Sequence, residues 1–106
     1  MSAASPTQRS LAELRDRGYL AAVVERWNPY ARIRQDLFGI IDLVAVKAGE
    51  TLGVQTTSGS NVAARITKIQ DSPALAQLRA AGWRIAVHGW RKNAAGRWVL
   101  READIS

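Results

Sequence analysis

The chain of 106 residues has no cysteine, one histidine and three prolines, and its nine acidic residues face 15 lysines and arginines. Without cysteine there can be no disulfide and no thiolate metal site, and only His88 could offer an imidazole ligand. Any metal centre must therefore be built mainly from oxygen, which suits magnesium, manganese or calcium. No apolar run approaches the roughly 20 residues that cross a bilayer. The opening MSAASPTQRS also lacks the apolar segment of a signal peptide. These absences predict a cytoplasmic protein without a membrane partner.

What is present is a globular composition, 47% hydrophobic, with a formal charge of +6 carried mostly by arginine. A small basic domain favours a polyanionic partner, most often nucleic acid. The length fits one domain with a single modest core, read here as residues 7–106 after a disordered start over 1–6.

The pattern along the chain predicts an α/β protein. Thr7 can cap a helix carrying Leu11 and Leu14 and ending at Gly18. Residues 19–27, YLAAVVERW, read as a strand, and 28–38 as a polar, cationic connection opened by Asn28-Pro29. Gly39 to Val46 reads as a central strand covered on both faces. The tetrapeptide KAGE turns the chain into a strand over Thr51–Thr57, making an antiparallel hairpin. Val62, Ile66 and Ile69 then mark a helix, Asp71-Ser72-Pro73 breaks it, and a second helix runs through Leu75 and Leu78 to Gly82. Strands over 83–90 and 97–101 close the chain, the last at the sheet edge.

Asp42 interrupts the apolar run GIIDLVAV. An ionised carboxylate in such a setting costs several kcal/mol unless cations, hydrogen bonds or a shifted pKa compensate it. Gln55 and Thr57 lie two apart on the next strand, on one face of the sheet. The hairpin can bring Asp42, the Gln55 amide oxygen and the Thr57 hydroxyl into one oxygen-rich cluster. The plain alternative is a strand-end carboxylate bonded to backbone or paired with an arginine such as Arg34.

Gly39-x-x-Asp42-Leu43-Val44-Ala45, a turn, and Gln55-x-Thr57 resemble the PD-(D/E)xK nuclease superfamily, closest to its Holliday-junction-resolvase-like and Mrr-like branches. The resemblance covers residues 7–90 and includes the 13-residue interval from Asp42 to Gln55. It implies a restriction-endonuclease-like α-β-β-β-α-β core with a mixed central sheet, and magnesium- or manganese-dependent cutting of DNA, branched or structured substrates included, by a homodimer. Asp42 and Gln55 map onto the metal-ligand positions, and Thr57 stands where the family has lysine. Threonine can neither carry a positive charge nor act as a base near neutral pH.

Related enzymes sometimes take the lysine from the following helix, where Asn61, Arg65, Lys68 and Ser72 fall within about 60 degrees of one another. Lys68 is the candidate for that lysine and Arg65 for a phosphate clamp. A further carboxylate could come from Glu13 on the first helix, or from Glu25 or Asp36. Arg32, Arg34, Arg91, Lys92 and Arg97 are candidate phosphate contacts. His88 reads as a packed histidine, and Trp27, Trp83, Trp90 and Trp98 mainly as core, with Trp90-Arg91-Lys92 able to stack on a base. The alternative function is a DNA-binding or assembly module of the same fold that has lost catalysis.

Overall fold

The computed structural model describes residues 4–106. Helix α1 spans Pro6–Asp16. Ser5, rather than Thr7, caps it: Ser5 Oγ accepts the Gln8 N–H at 3.2 Å, and Pro6 sits in the first turn, where a missing N–H costs nothing. Residues 1–3 of the stretch expected to be disordered lie outside the described residues.

The expected strand over 19–27 divides. Strand β1 (Leu20–Val23) belongs to the main sheet, whereas β2 (Arg26–Asn28) leaves it and pairs with β3 (Ile33–Gln35) inside the expected connection. Periodicity did not reveal this hairpin because it covers no core: Trp27 and Ile33 are both exposed. Strand β4 (Leu43–Lys47) begins four residues later than expected, because Gly39 to Asp42 form a turn instead. A two-residue connection leads into β5 (Glu50–Ser58), so the antiparallel hairpin of β4 and β5 stands as expected.

Helix α2 (Val62–Gln70) and helix α3 (Ala74–Ala80) follow, separated at Asp71–Pro73. Strand β6 (Arg84–Lys92) and the edge strand β7 (Trp98–Asp104) complete a five-stranded sheet in the order β1-β4-β5-β6-β7. Only β5 and β6 run parallel, and the two helices between them form the crossover that parallel pairing requires. The result is a compact α/β fold, a mixed sheet flanked by helices.

Two apolar layers hold it together. Leu11 and Leu14 of α1 pack on Leu43, Ala45, Leu52, Val54 and Ala86 on one face. Val62, Ile69, Leu75 and Leu78 pack on Ile41, Ile85 and Val87 on the other. Fully burying a leucine or isoleucine contributes about 2 kcal/mol, so this sandwich is the main source of stability. Gly89 lets α2 approach β6 closely, since a Cβ there would stand 2.2 Å from Val62 Cγ2. Among the described residues, no helix is long and apolar enough to cross a membrane.

Candidate metal centre

Strand β5 outruns its neighbour. Register pairs Val54 with Leu43, the first residue of β4, so beyond Val54 the β4 side of β5 has no strand partner. Asp42 fills that gap with its side chain. Its Oδ2 accepts the Thr56 backbone N–H at 2.8 Å, the Thr56 hydroxyl at 3.0 Å and the Gln55 Nε2 amide at 2.8 Å. These bonds compensate a carboxylate that is almost wholly buried. Because Oδ2 takes all three, Oδ1 is left facing its neighbours.

Asp36 is one of those neighbours, brought there by a local turn. Leu37 and Ile41 exchange N–H and C=O bonds at 2.8 and 3.0 Å, and Phe38 and Gly39 between them adopt left-handed φ of 54° and 78°. The conformation is ordinary for glycine and costly for phenylalanine. Phe38 is held in it with its ring edge-on to Trp83, centroids 6.4 Å apart. Asp36 and Asp42 flank this turn.

Glu25 arrives from the exit of β1, where the N–H groups of Val24 and Glu25 bond to the Asp42 carbonyl. Carboxylate oxygens of Glu25, Asp36 and Asp42 lie within 4.8 Å of one another. Such a group of hard oxygens could hold a metal ion, and the donor chemistry fits what the absence of cysteine requires.

Cations border the acids. Lys68 Nζ from α2 donates to Asp36 Oδ2 and to Gln55 Oε1, both at 3.2 Å, and Arg34 donates to Glu25 Oε1 at 3.1 Å. Arg65 lines the same cleft of about 350 Å³, together with Thr7 of α1, whose hydroxyl lies 2.8 Å from that of Thr56. The Gln55 amide is thereby oriented. Its nitrogen faces Asp42 and Asp36, at 2.8 and 3.2 Å, and its oxygen faces the Lys68 ammonium. Gln55 therefore bridges the acids to Lys68.

Burial pushes the Asp42 carboxyl up to about 7, and the hydrogen-bonded neighbour Asp36 pushes it the same way, against the lowering effect of the Thr56 N–H. Burial also acts to raise Asp36, but hydrogen bonds from Asp42, Gln55 and Lys68 outweigh it, and Asp36 ends below its ordinary value. Like charges this close cannot both ionise freely, so Asp42 gives up its proton less readily than a solvent-exposed aspartate.

Of the residues singled out in the sequence, Asp42, Gln55, Lys68, Arg65, Glu25, Asp36 and Arg34 come together here. Thr57 is buried but does not line the cleft, and Thr56 takes the place expected of it. Glu13 is elsewhere, paired with Arg17 at 2.9 Å. Arg91 and Lys92 end β6 outside the cleft, with Lys92 Nζ 5.5 Å from the Trp98 ring. Arg32 lies in the turn joining β2 to β3, itself left-handed at φ 55°. Sequence reasoning missed Thr7 and Thr56 as lining residues. No signal in the sequence marks them: the apolar run reads as strand from Gly39, and only the late start of β4 leaves the end of β5 open. No protein-family model matches this chain, and comparison with the curated proteins yields no match.

Proposed function

We propose that this protein is a metal-dependent DNA endonuclease with a restriction-endonuclease-like core. The observation that carries the reading is the meeting of Glu25, Asp36 and Asp42 with Lys68 at the open end of a β-hairpin. Supporting it, α1, β1, β4, β5, α2 and β6 follow one another in the α-β-β-β-α-β order, with β2 and β3 as an inserted hairpin. The excess of positive charge suits a polyanionic substrate.

In this reading Asp42, Asp36 and Glu25 hold magnesium or manganese, which would supply a Lewis acid and an activated water for phosphodiester hydrolysis. Gln55 presents its oxygen to Lys68 and so acts as the residue that positions the lysine. Lys68 stands where a cation can orient the nucleophile, in place of the family lysine that Thr57 replaces. Arg65 and Arg34 sit at the rim to hold the phosphate flanking the scissile bond, since a guanidinium binds phosphate in a bidentate fork.

A second reading, a DNA-binding module without catalysis, is favoured by one detail: the Gln55 nitrogen occupies the space between two carboxylates where a ligand oxygen would be expected. Cleavage of linear, flapped and four-way DNA with magnesium or manganese separates the two. The proposal expects cutting that Asp42→Ala abolishes, a loss of at least ~10³-fold. No cutting of any of these substrates with either metal would rule it out.

A further inference from the structure

The β2–β3 hairpin is the part of the molecule that neither core uses. Trp27 is 57% exposed and Tyr30 97% exposed, on a two-stranded ribbon that no helix covers. Large aromatic rings left in water on a small domain call for a partner. The ribbon is nevertheless ordered. Asn28 Oδ1 accepts the N–H groups of Tyr30 and Ala31 at 3.0 and 3.1 Å, closing the loop on itself, and Pro29 restricts the backbone between them. The backbone that carries the rings is thus closed on itself.

Their neighbours identify the partner. Residues 26–35 contain three arginines and no acid. Neither Arg26 nor Arg32 forms an ion pair among the described residues, and Arg34 spends one N–H on Glu25 while 73% of its side chain stays exposed. Trp27 and Tyr30 share the wall of a cleft of about 200 Å³, with Arg26 beside them. Exposed aromatics interleaved with arginine on a rigid ribbon suit stacking on nucleobases with phosphates alongside. A protein partner would be expected to answer three arginines with acids, and a second copy of this chain presents the same three cations. Charge complementarity thus favours a nucleic acid over self-association.

Position links the hairpin to the acids. Trp27 pairs across the ribbon with Arg34, so both lie on one face. Alternation continues that face to Glu25 on one side and to Asp36 on the other, and the Arg34–Glu25 bond crosses it. Two residues along a strand span about 7 Å, a separation on the scale of one nucleotide. A phosphate held by a metal ion on these carboxylates would place the adjoining base against Trp27. In a continuous duplex that base is stacked and paired, and its face is not available.

We propose that the β2–β3 hairpin grips an unpaired nucleotide beside the scissile phosphate, through stacking on Trp27 and Tyr30 and phosphate contacts from Arg26, Arg32 and Arg34, so that the substrate is DNA with a single-stranded segment. This rests on the endonuclease reading for its placement but not for its measurement. Binding of a fluorescein-labelled 12-mer of thymidylate and of a 12-base-pair duplex is measured by anisotropy in EDTA, where no cutting occurs, alongside sedimentation to record the oligomeric state. The expected result is tighter binding of the single strand, weakened about tenfold by Trp27→Ala and again by Tyr30→Ala, with Trp27→Phe retaining most of it. Both side chains are exposed, so the thermal melt of each variant should match the wild type. Equal binding by wild type and the double alanine variant overturns the proposal, as does a change in sedimenting mass without a change in DNA affinity. Stacking that persists in a protein unable to cut would sink the endonuclease reading alone, and cutting that ignores both substitutions would sink the hairpin alone.

Discussion

Two polar networks lie inside this sheet, and they differ in what they leave open. One is the cluster of Glu25, Asp36 and Asp42. The other runs from Trp90 through Ser10 and His88 to Glu102. In the second, Trp90 Nε1 donates to Ser10 Oγ at 2.8 Å, and Ser10 Oγ lies 2.9 Å from His88 Nδ1. His88 Nε2 lies 2.8 Å from Glu102. Glu102 is held below its usual range, burial being outweighed by the Arg17 and His88 hydrogen bonds, and so can only accept. Nε2 must then carry the proton, Nδ1 accepts from the serine hydroxyl, and every donor has its acceptor. A serine, a histidine and a carboxylate in line resemble hydrolase machinery. Yet Ser10 and His88 are fully buried, and no substrate can reach them. The network is closed. The acidic cluster is its opposite: it borders a cleft, and the donors that reach Asp42 among the described residues all go to Oδ2, leaving Oδ1 without one. Saturation marks structure, and unspent valence marks a site.

Breaking each network should therefore have different costs. The largest structural effect is expected at the closed one. Ser10→Ala strands the Trp90 N–H and His88 Nδ1 in the core and should cost about 1–3 kcal/mol in urea unfolding, without changing magnesium affinity or DNA cutting. Lys68→Ala should show the reverse. Its ion pair with Asp36 is partly exposed and contributes at most about 1 kcal/mol to stability, whereas loss of the cation at the proposed nucleophile should slow cutting about 10²-fold. An equal fall in stability and activity for either variant would erase the distinction.

Proton linkage sharpens it further. The folded-state pKa of Asp42 is raised to about 7, so its contribution to stability is complete below the unfolded value near 3.8 and is lost as pH rises through about 7. Burial lowers the pKa of His88, so its contribution is present above the unfolded value of 6.5 and is lost as pH falls below it. The Asp42→Asn variant should remove the loss between about pH 4 and 7 and shift the pH of maximum stability upward, which thermal melts from pH 4 to 9 would detect. The smallest effect expected is on ion binding. A metal must displace the proton that Asp42 carries below about pH 7, so magnesium affinity measured by calorimetry should rise up to about tenfold per unit below pH 7 and level off above it. A flat profile would mean that the proton and the ion do not compete.

Much of the scaffold is legible in the chain. The apolar spacing of Val62, Ile66 and Ile69, the break at Ser72-Pro73 and the β4–β5 hairpin all follow from local chemistry, because each element buries a face. Asp42 was conspicuous for the same reason, as a charge among buried neighbours. Glu25 and Asp36 carry no such mark in the sequence. Their approach to Asp42 depends on a hairpin with no buried face and on a phenylalanine in a left-handed turn, neither of which leaves a periodic trace. Thr56 leaves no such mark because the alternation rule points it away from Gln55, and only the late start of β4 lets Asp42 reach it.

That late start of β4 also affects how the sheet breathes. Deuterium replaces most strand amides only when a ladder opens, whereas the Thr56 amide is guarded by one carboxylate on a side chain. A single rotation of Asp42 would admit solvent there while the rest of β5 stays shut. An ion that anchored the carboxylate would lengthen the lifetime of that one proton, making a single amide a gauge of whether the cleft is filled.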